Sequence, residues 1–539
     1  YVAGSRAARG PYPFGRGGRR GRAVPVPACQ NSKVESPSSA ARSDSPRGRA
    51  PRLPPVVFLV AALAAAVEVA VAGRYGYHRD ELYFIACAKH LAWGYVDQPL
   101  LTPILAGVGN FVFAGSLIGF RLLPALTFAA LILITGLLAR ALGANRLGQA
   151  LSALATALCG EYLAAAHLVS PTVFDQLAWA LLALVVVRVI QTGNHRLWLL
   201  AGVVAGIGLS NKWNLLFFLA SLGVGLLLSR RRALLWSPWL VLGVLVAAAL
   251  GSPDFIWQAL HGWPQLQVFE ALAGDAGHNR AVYWPAQVIY VGPLLTPVWI
   301  VGWLWLARSR RAAEYRSFAI AAVLVLALVF ILGGKPYYPG PIFAILFAAA
   351  GVPLGTFLGD PARVWLRPRY VAVALCVAAI VELPLAVPVL PASILVSVPL
   401  QKINYDLAET IGWPKLTTQI DRIYRSLPSA QRRTAVIVSG NYGEAGALNR
   451  FGPPLGLPEA YSGSNNFWLW GPPPAGRTTL IAINVDPALL RSHFAKVREL
   501  AVFHNGLGVQ DDEQGVPIYL CSGQESDWRA IWTSFQNYG

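Results

Sequence analysis

Apolar runs of membrane-spanning length recur through most of this chain, and they restrict what it can fold into more than any other feature. A hydrocarbon core of roughly 30 Å takes about 20 apolar residues as a helix, with shorter runs tolerated, and on that ruler about eleven spans are expected. They lie near residues 54–73, 115–139, 149–167, 172–190, 197–210, 213–229, 236–252, 286–306, 317–333, 339–357 and 370–391. Backbone N–H and C=O groups find no water inside a bilayer, so each run must satisfy them internally as a helix. Composition agrees: the 539 residues are 55% hydrophobic and 13% charged, with a mean hydropathy of +0.49, too apolar for an average water-soluble domain. The fold class expected is mainly α, a polytopic helical membrane protein lying in the lipid bilayer.

The formal net charge of +18 would suit nucleic acid if it formed a patch, but it sits in an N-terminal tail and in short loops between spans. No nucleic-acid partner is expected. Lys and Arg accumulate on the cytoplasmic side of span ends. Every second loop is basic: Arg140 and Arg146, Arg188 and Arg196, Arg230 to Arg232, Arg308 to Arg316, and Arg363 to Arg369. This pattern places the N-terminus in the cytoplasm of a multi-pass plasma-membrane protein. Residues 74–114, 167–171, 211–213, 252–285 and 333–339 then lie outside. Reading 197–229 as one bent helix would turn residues 308–316 outward, so the charges favour two spans there.

Residues 1–52 are rich in Gly, Arg, Pro and Ser and lack periodicity, so a disordered basic tail is expected. The sequence opens on Tyr and holds no Met, so its first residue is not expected to be the start of translation. A cleaved signal peptide is not expected either, because 53–72 is long enough to span and no cleavage site follows. The five cysteines have no CxxC spacing or nearby His, which indicates neither a zinc site nor a disulfide framework. The transmembrane domain is assigned to 53–396, with 74–114 as its first outer loop, and a small extracytoplasmic α/β domain to 397–539. Within the latter, 434–439, 479–485, 499–503 and 516–521 read as strands and 486–500 as a helix.

The outer loops hold most of the unusual polar residues. Asp80 and Glu81 follow the first span closely, where a carboxylate can act as general base on an acceptor hydroxyl or amine, with its neighbour orienting it. Lys212 and Lys335 stand at outer span ends among Trp213, Tyr337 and Tyr338, and a lysine there can hold a phosphate as a point charge. Arg79, Arg121 and His78 could join them. Together these describe a cationic, aromatic-lined pocket beside an acid at the membrane face, suited to a lipid phosphate bearing a sugar. Each part has a plainer reading. An acid pair can cap a helix, lysines can snorkel, Arg121 can be structural, and His78 and His167 can be interfacial hydrogen-bonders.

The stretch Arg79-Asp80-Glu81-Leu82-Tyr83-Phe84, followed by Gly94-Tyr95-Val96-Asp97-Gln98-Pro99, resembles the DExYY and GYxDxPP signature of family 39 glycosyltransferases. These are GT-C membrane enzymes that include protein O-mannosyltransferases and aminoarabinose transferases. Further similar blocks are Ser170-Pro171 with Asp175, Gly208 to Lys212, Pro253 to Gln258 with Gly262-Trp263, and Gly334 to Pro339. The likeness covers about residues 54–400 and implies a GT-C fold. It also implies a polyprenyl-phosphate-linked sugar donor, an acceptor protein, lipid or glycan on the outer face, and inversion at the anomeric carbon. It maps the catalytic acid onto Asp80 with Glu81 beside it. Alongside that mapping, donor phosphate binding is expected of Lys212, Lys335, Arg79 and Arg121, and substrate contacts of His78, Tyr83, Tyr95, Asp97, Tyr337 and Tyr338.

Two departures stand out. Gln98 and Leu100 occupy positions where many relatives have His and a second Pro, and Asp175 lies four residues after Pro171 where an acid often follows directly. They leave the sugar and acceptor unassigned. No cofactor is required; a divalent metal is compatible with the acids but not indicated. A polytopic transporter or a non-catalytic polyprenyl-lipid-binding protein would share the topology, although this chain lacks the repeated halves and midplane charges usual in transporters.

Overall fold

A computed structural model describes residues 53–363, 368–398 and 400–538, so the expected tail at 1–52 and part of the loop at 363–369 fall outside the described residues. Each expected span coincides with helix. In chain order the helices are α1 (Pro55–Val71), α2 (Arg79–Lys89), α3 (Leu101–Val112), α4 (Leu117–Ala141), α5 (Arg146–Ala157), α6 (Gly160–His167), α7 (Pro171–Thr192) and α8 (Leu197–Leu209). They continue as α9 (Leu215–Leu227), α10 (Pro238–Leu260), α11 (Pro264–Ala273), α12 (Ala276–Ile289), α13 (Thr296–Arg308), α14 (Arg316–Leu332), α15 (Ile342–Leu358) and α16 (Pro368–Ala386). Four segments, Leu117–Ala141, Pro171–Thr192, Pro238–Leu260 and Ala313–Leu332, are long and apolar enough to cross a bilayer on length and composition alone; the other apolar helices are shorter.

Two expected spans are interrupted. The run at 149–167 breaks between α5 and α6 at Gly160, where a Cβ would stand 2.5 Å from Glu382 Oε2 and 3.0 Å from the Tyr290 carbonyl oxygen. The run at 286–306 is cut between α12 and α13, where Gly292 adopts φ +106°, a left-handed backbone that glycine tolerates. Residues 197–229 divide into α8 and α9. Small residues let helices pack closely: a Cβ on Gly202 would lie 2.1 Å from the Gly243 carbonyl, and one on Gly302 would lie 1.9 Å from that of Leu346.

Loop contacts gather the two ends of the bundle. At the basic end, Asn145 Nδ2 donates to Gly355 O (2.9 Å) and Gln191 Nε2 to Tyr315 Oη (3.0 Å). At the opposite end, Asn211 Nδ2 donates to Pro171 O (2.7 Å), Asn214 Nδ2 to Tyr338 O (2.9 Å) and Gln287 Nε2 to Pro336 O (2.7 Å). The expected first outer loop is not irregular. It contains α2 and α3, and it shares a hydrophobic core with the C-terminal part: Tyr77, Leu82, Tyr83 and Ile85 pack with Trp413, Leu416, Ala445 and Leu448. Leu53–Gly539 accordingly forms one compact unit.

The C-terminal part adds α17 (Ile394–Ser397), α18 (Trp413–Ser426), α19 (Ser429–Arg433), α20 (Tyr442–Phe451) and α21 (Asn465–Leu469) around a five-stranded sheet. Its strands are β1 (Ala435–Ser439), β2 (Ala460–Ser462), β3 (Thr479–Ile483), β4 (Phe494–Val502) and β5 (Pro517–Gln524), in the order β2-β1-β3-β5-β4. The first three pair in parallel, and β5 pairs antiparallel with β3 and β4. The helix expected at 486–500 is a correction: only Pro487–Arg491 is helical, and Phe494–Val502 forms a long strand. Pairing with β5 overrides the local helical pattern, and exposed Lys496, Arg498 and Glu499 suit an edge strand.

Candidate functional site

The site forms where α2 meets the carboxyl ends of β1 and β2. His78 caps α2: its Nδ1 accepts the Asp80 N–H (3.1 Å), while Glu81 Oε2 accepts the His78 N–H (2.9 Å). This reciprocal arrangement satisfies two donors at the helix start. It also separates the two acids. Asp80 keeps a 37% exposed side chain, whereas Glu81 is fully buried.

Glu81 sits in a closed cage. Its Oε1 accepts from Arg121 Nε (3.0 Å) and Val169 N–H (3.1 Å), and its Oε2 accepts from Arg121 Nη2 (2.7 Å) besides His78. Arg121 also donates to the carbonyls of Ala72 (2.9 Å) and Gly76 (2.8 Å), and its fifth N–H faces His167 Nε2 (3.0 Å). A bidentate guanidinium saturated in this way has no donor left for a lipid phosphate. Both side chains are buried and engaged with each other and with neighbouring backbone at the start of α2.

Asp80 is set differently. Its Oδ1 accepts a 2.8 Å hydrogen bond from the Tyr442 hydroxyl, at the first residue of α20. Its Oδ2 lies 3.9 Å from His78 Nδ1, beyond hydrogen-bonding distance. Burial alone would raise this carboxyl, but the positive field of Arg79, the Tyr442 hydrogen bond and the Lys335 ammonium oppose it, and Asp80 is held below its ordinary range. One carboxylate oxygen is thus held and the other is open, on an ionised acid.

Lys335 is exposed, and its charge acts on both Asp80 and Lys212. Lys212 Nζ donates to Thr172 Oγ1 (3.1 Å) and stands 5.0 Å and 5.4 Å from the ring centres of Tyr337 and Tyr338. The fields of Asp175 and Glu161 also reach it. Lys335 thus stands in electrostatic reach of both Asp80 and Lys212, and Lys212 packs against Tyr337 and Tyr338.

Arg79 points elsewhere. Its Nη1 reaches Glu409 Oε2 (3.2 Å) and Asp512 Oδ2 (2.5 Å), and its guanidinium carbon lies 5.9 Å from the Tyr442 ring centre. Its guanidinium is thus engaged by acids of the C-terminal part. His78, Tyr83 and Tyr95 are buried. Tyr95 Oη, on the 94–99 loop, donates to Cys87 O (3.1 Å) in α2.

Asp97 lies on that loop beside Tyr83, whose hydroxyl is 2.9 Å from both Asp97 Oδ1 and Asn466 Oδ1. A phenol carries one proton, so both contacts are hydrogen bonds only when Asp97 keeps its own proton and donates it to Tyr83. Burial, reinforced by the negative field of Asp80, pushes Asp97 up to about 7, which fits that arrangement. The neighbouring acids are thereby driven apart in protonation.

The expected site residues include neither Tyr442 nor Asn466, and a strand-to-helix turn carries the first of them. The turn is there, with Asn441 Oδ1 accepting the Gly443 N–H (2.7 Å) and Glu444 Oε2 the Asn441 N–H (3.1 Å). It also delivers Tyr442 to Asp80. The available signal was position: in open α/β sheets, ligand-contacting groups gather beyond the carboxyl ends of parallel strands. Among the described residues, no three His, Cys, Asp or Glu side chains converge as a metal site.

Comparisons with known proteins point the same way. A family model described as dolichyl-phosphate-mannose-protein mannosyltransferase matches residues 97–257. The crystal structure of ArnT from Cupriavidus metallidurans bound to undecaprenyl phosphate superposes with a TM-score of 0.54 at 14% identity, covering 86% of this chain and 97% of that one. Its apo state gives 0.54 at 15% identity with the same coverage. The archaeal oligosaccharyltransferase AglB from Archaeoglobus fulgidus, in complex with an inhibitory peptide and a dolichol-phosphate, reaches 0.44 at 14% identity, over 72% of this chain and 63% of that one, a likeness too slight to argue from. No curated protein matches the chain in sequence. The fold is the one ArnT has, that of a polytopic helical membrane protein, here with a C-terminal α/β part, as expected from the sequence.

Proposed function

We propose that this membrane glycosyltransferase moves a sugar from a polyprenyl-phosphate donor to an acceptor on the outer face, with inversion at the anomeric carbon and Asp80 as general base. The observation that carries the reading is the state of Asp80: ionised, anchored through Oδ1 by Tyr442 and open at Oδ2, with Lys335 in electrostatic reach. Oδ2 takes the proton of the acceptor hydroxyl or amine as its oxygen or nitrogen forms the bond to the anomeric carbon. The bond from that carbon to the phosphate oxygen breaks, and its electron pair leaves with polyprenyl phosphate. Lys335 meets the growing phosphate charge, with Lys212 held behind it between Tyr337 and Tyr338.

The positive charges in this scheme are lysines, so no metal is assigned a step. Chelation by EDTA should leave transfer unchanged; loss that a divalent ion restores would overturn the metal-free form. The orientation proposed puts the basic loops in the cytoplasm and the C-terminal domain outside. ArnT was crystallised with undecaprenyl phosphate, which supports a lipid-phosphate donor for a chain sharing its fold. The functional test is glycan and glycolipid profiling of a deletion strain complemented by the wild-type gene or by Asp80→Asn. A glycan or glycolipid lost on deletion should return only with the wild type. Full restoration by Asp80→Asn would refute the assignment of the base.

A further inference from the structure

We infer that the C-terminal domain is a working part of the transfer site: Tyr442 positions the Asp80 carboxylate, and Asn466 positions the Tyr83–Asp97 arm beside it. This inference rests on the glycosyl-transfer reading of Asp80. Both residues follow parallel strands, Tyr442 after β1 and Asn466 after β2, so one edge of the sheet supplies both clasps.

The first clasp is the 2.8 Å bond from Tyr442 Oη to Asp80 Oδ1. A hydroxyl on Oδ1 leaves Oδ2 as the basic atom and fixes the plane of the carboxylate. The Tyr442 ring has little freedom, because its centre lies 4.7 Å from that of Tyr83 at a 37° tilt and the Arg79 guanidinium covers it. The backbone beneath is equally constrained. A Cβ on Gly443 would stand 2.7 Å from Arg79 Cβ, and one on Gly446 would stand 3.0 Å from Leu82 Cβ, so α20 lies against α2 closer than side chains would allow.

The second clasp binds the other acid. Asn466 Oδ1 accepts from the Val96 N–H (2.8 Å) and faces the Tyr83 hydroxyl at 2.9 Å, joining the 94–99 loop to α2 through one amide. Asp97 is at the far end of that chain, 2.9 Å from Tyr83. Removal of the domain would release both acids together. Neither residue need touch substrate; both are positioning residues.

The test uses the full chain in lipid nanodiscs, with transfer followed from a synthetic polyprenyl-phosphate sugar and Asp80→Asn run alongside. Tyr442→Phe keeps the ring contact and deletes the hydroxyl. A hydrogen bond to a charged group is worth roughly tenfold to a hundredfold, so kcat should fall by about that factor while donor KM is unchanged, and the acidic limb of the pH–rate profile should move upward. Asn466→Ala should lower kcat without moving that limb. Thermal melting checks that each variant is folded; if Tyr442→Phe is not, Asn466→Ala alone decides by its kcat. An unchanged kcat and limb in folded Tyr442→Phe, or unchanged kcat in Asn466→Ala, overturns the inference while Asp80→Asn remains inactive. Full transfer by Asp80→Asn would instead bring down the underlying reading.

Discussion

Asp80 and Glu81 share one turn of α2, yet that turn sends one carboxylate to the open face and the other into a cage of donors. The difference is testable at each residue. Breaking a buried ion pair by neutralising one partner costs about 3–5 kcal/mol, so Glu81→Gln or Arg121→Leu should lower the melting temperature of the detergent-purified protein markedly. A folded, fully stable Glu81→Gln would contradict the structural role. Lys335→Ala should raise donor KM by about tenfold or more and leave acceptor KM unchanged, as expected for a lost charged contact; Lys212→Ala should act in the same direction. Equal, slight effects on both substrates would mean that these lysines only meet lipid headgroups. Because Asp80 is held below its ordinary value of 3.8, the proposed base stays ionised as pH falls, and transfer should decline only below that ordinary value.

At the scale of elements, two capping boxes face each other across the α2–α20 contact, His78 with Glu81 and Asn441 with Glu444. Burial pushes Glu444 up to about 8 from its ordinary 4.5. A raised carboxyl binds its proton more tightly in the folded state, so its contribution to stability is full below pH 4.5 and is lost as pH rises through 8. Asp97 has the same sign, fading as pH passes about 7. Glu444→Gln can still accept the Asn441 N–H, so it should flatten the decline in melting temperature between pH 6 and pH 9 (both about). A decline as steep as in the wild type would contradict this. Gly443→Val should push α20 from α2, visible as faster hydrogen exchange in residues 79–89 together with reduced transfer. The capping boxes were legible as sequence patterns, and β1, β3 and β5 as apolar runs. The docking was not, because Gly443 and Gly446 carry no signal of which helix they approach.

For the whole molecule, the spans were readable because a bilayer imposes length and apolarity on each helix separately, whatever its neighbours. Interruptions at Gly160 and Gly292 were not, since each depends on a partner such as Glu382 that is distant in sequence. The acid signature drew attention to Asp80 and Glu81, but it could not tell the open carboxylate from the caged one. That distinction depends on Arg121, Val169 and Tyr442, which come from three other parts of the chain. Orientation is open to a direct check: single cysteines introduced near Arg231 and at Lys496 should react with a membrane-impermeant maleimide in intact cells only at the latter, and labelling of the former alone would invert the topology. The decisive measurement is transfer by purified wild-type and Asp80→Asn protein in liposomes, using a panel of synthetic polyprenyl-phosphate hexoses and pentoses with donor binding measured in parallel. Wild type should release polyprenyl phosphate as the acceptor is glycosylated, and Asp80→Asn should bind donor equally while transferring about 10²–10⁴-fold more slowly; undiminished transfer by Asp80→Asn would contradict Asp80 as the base.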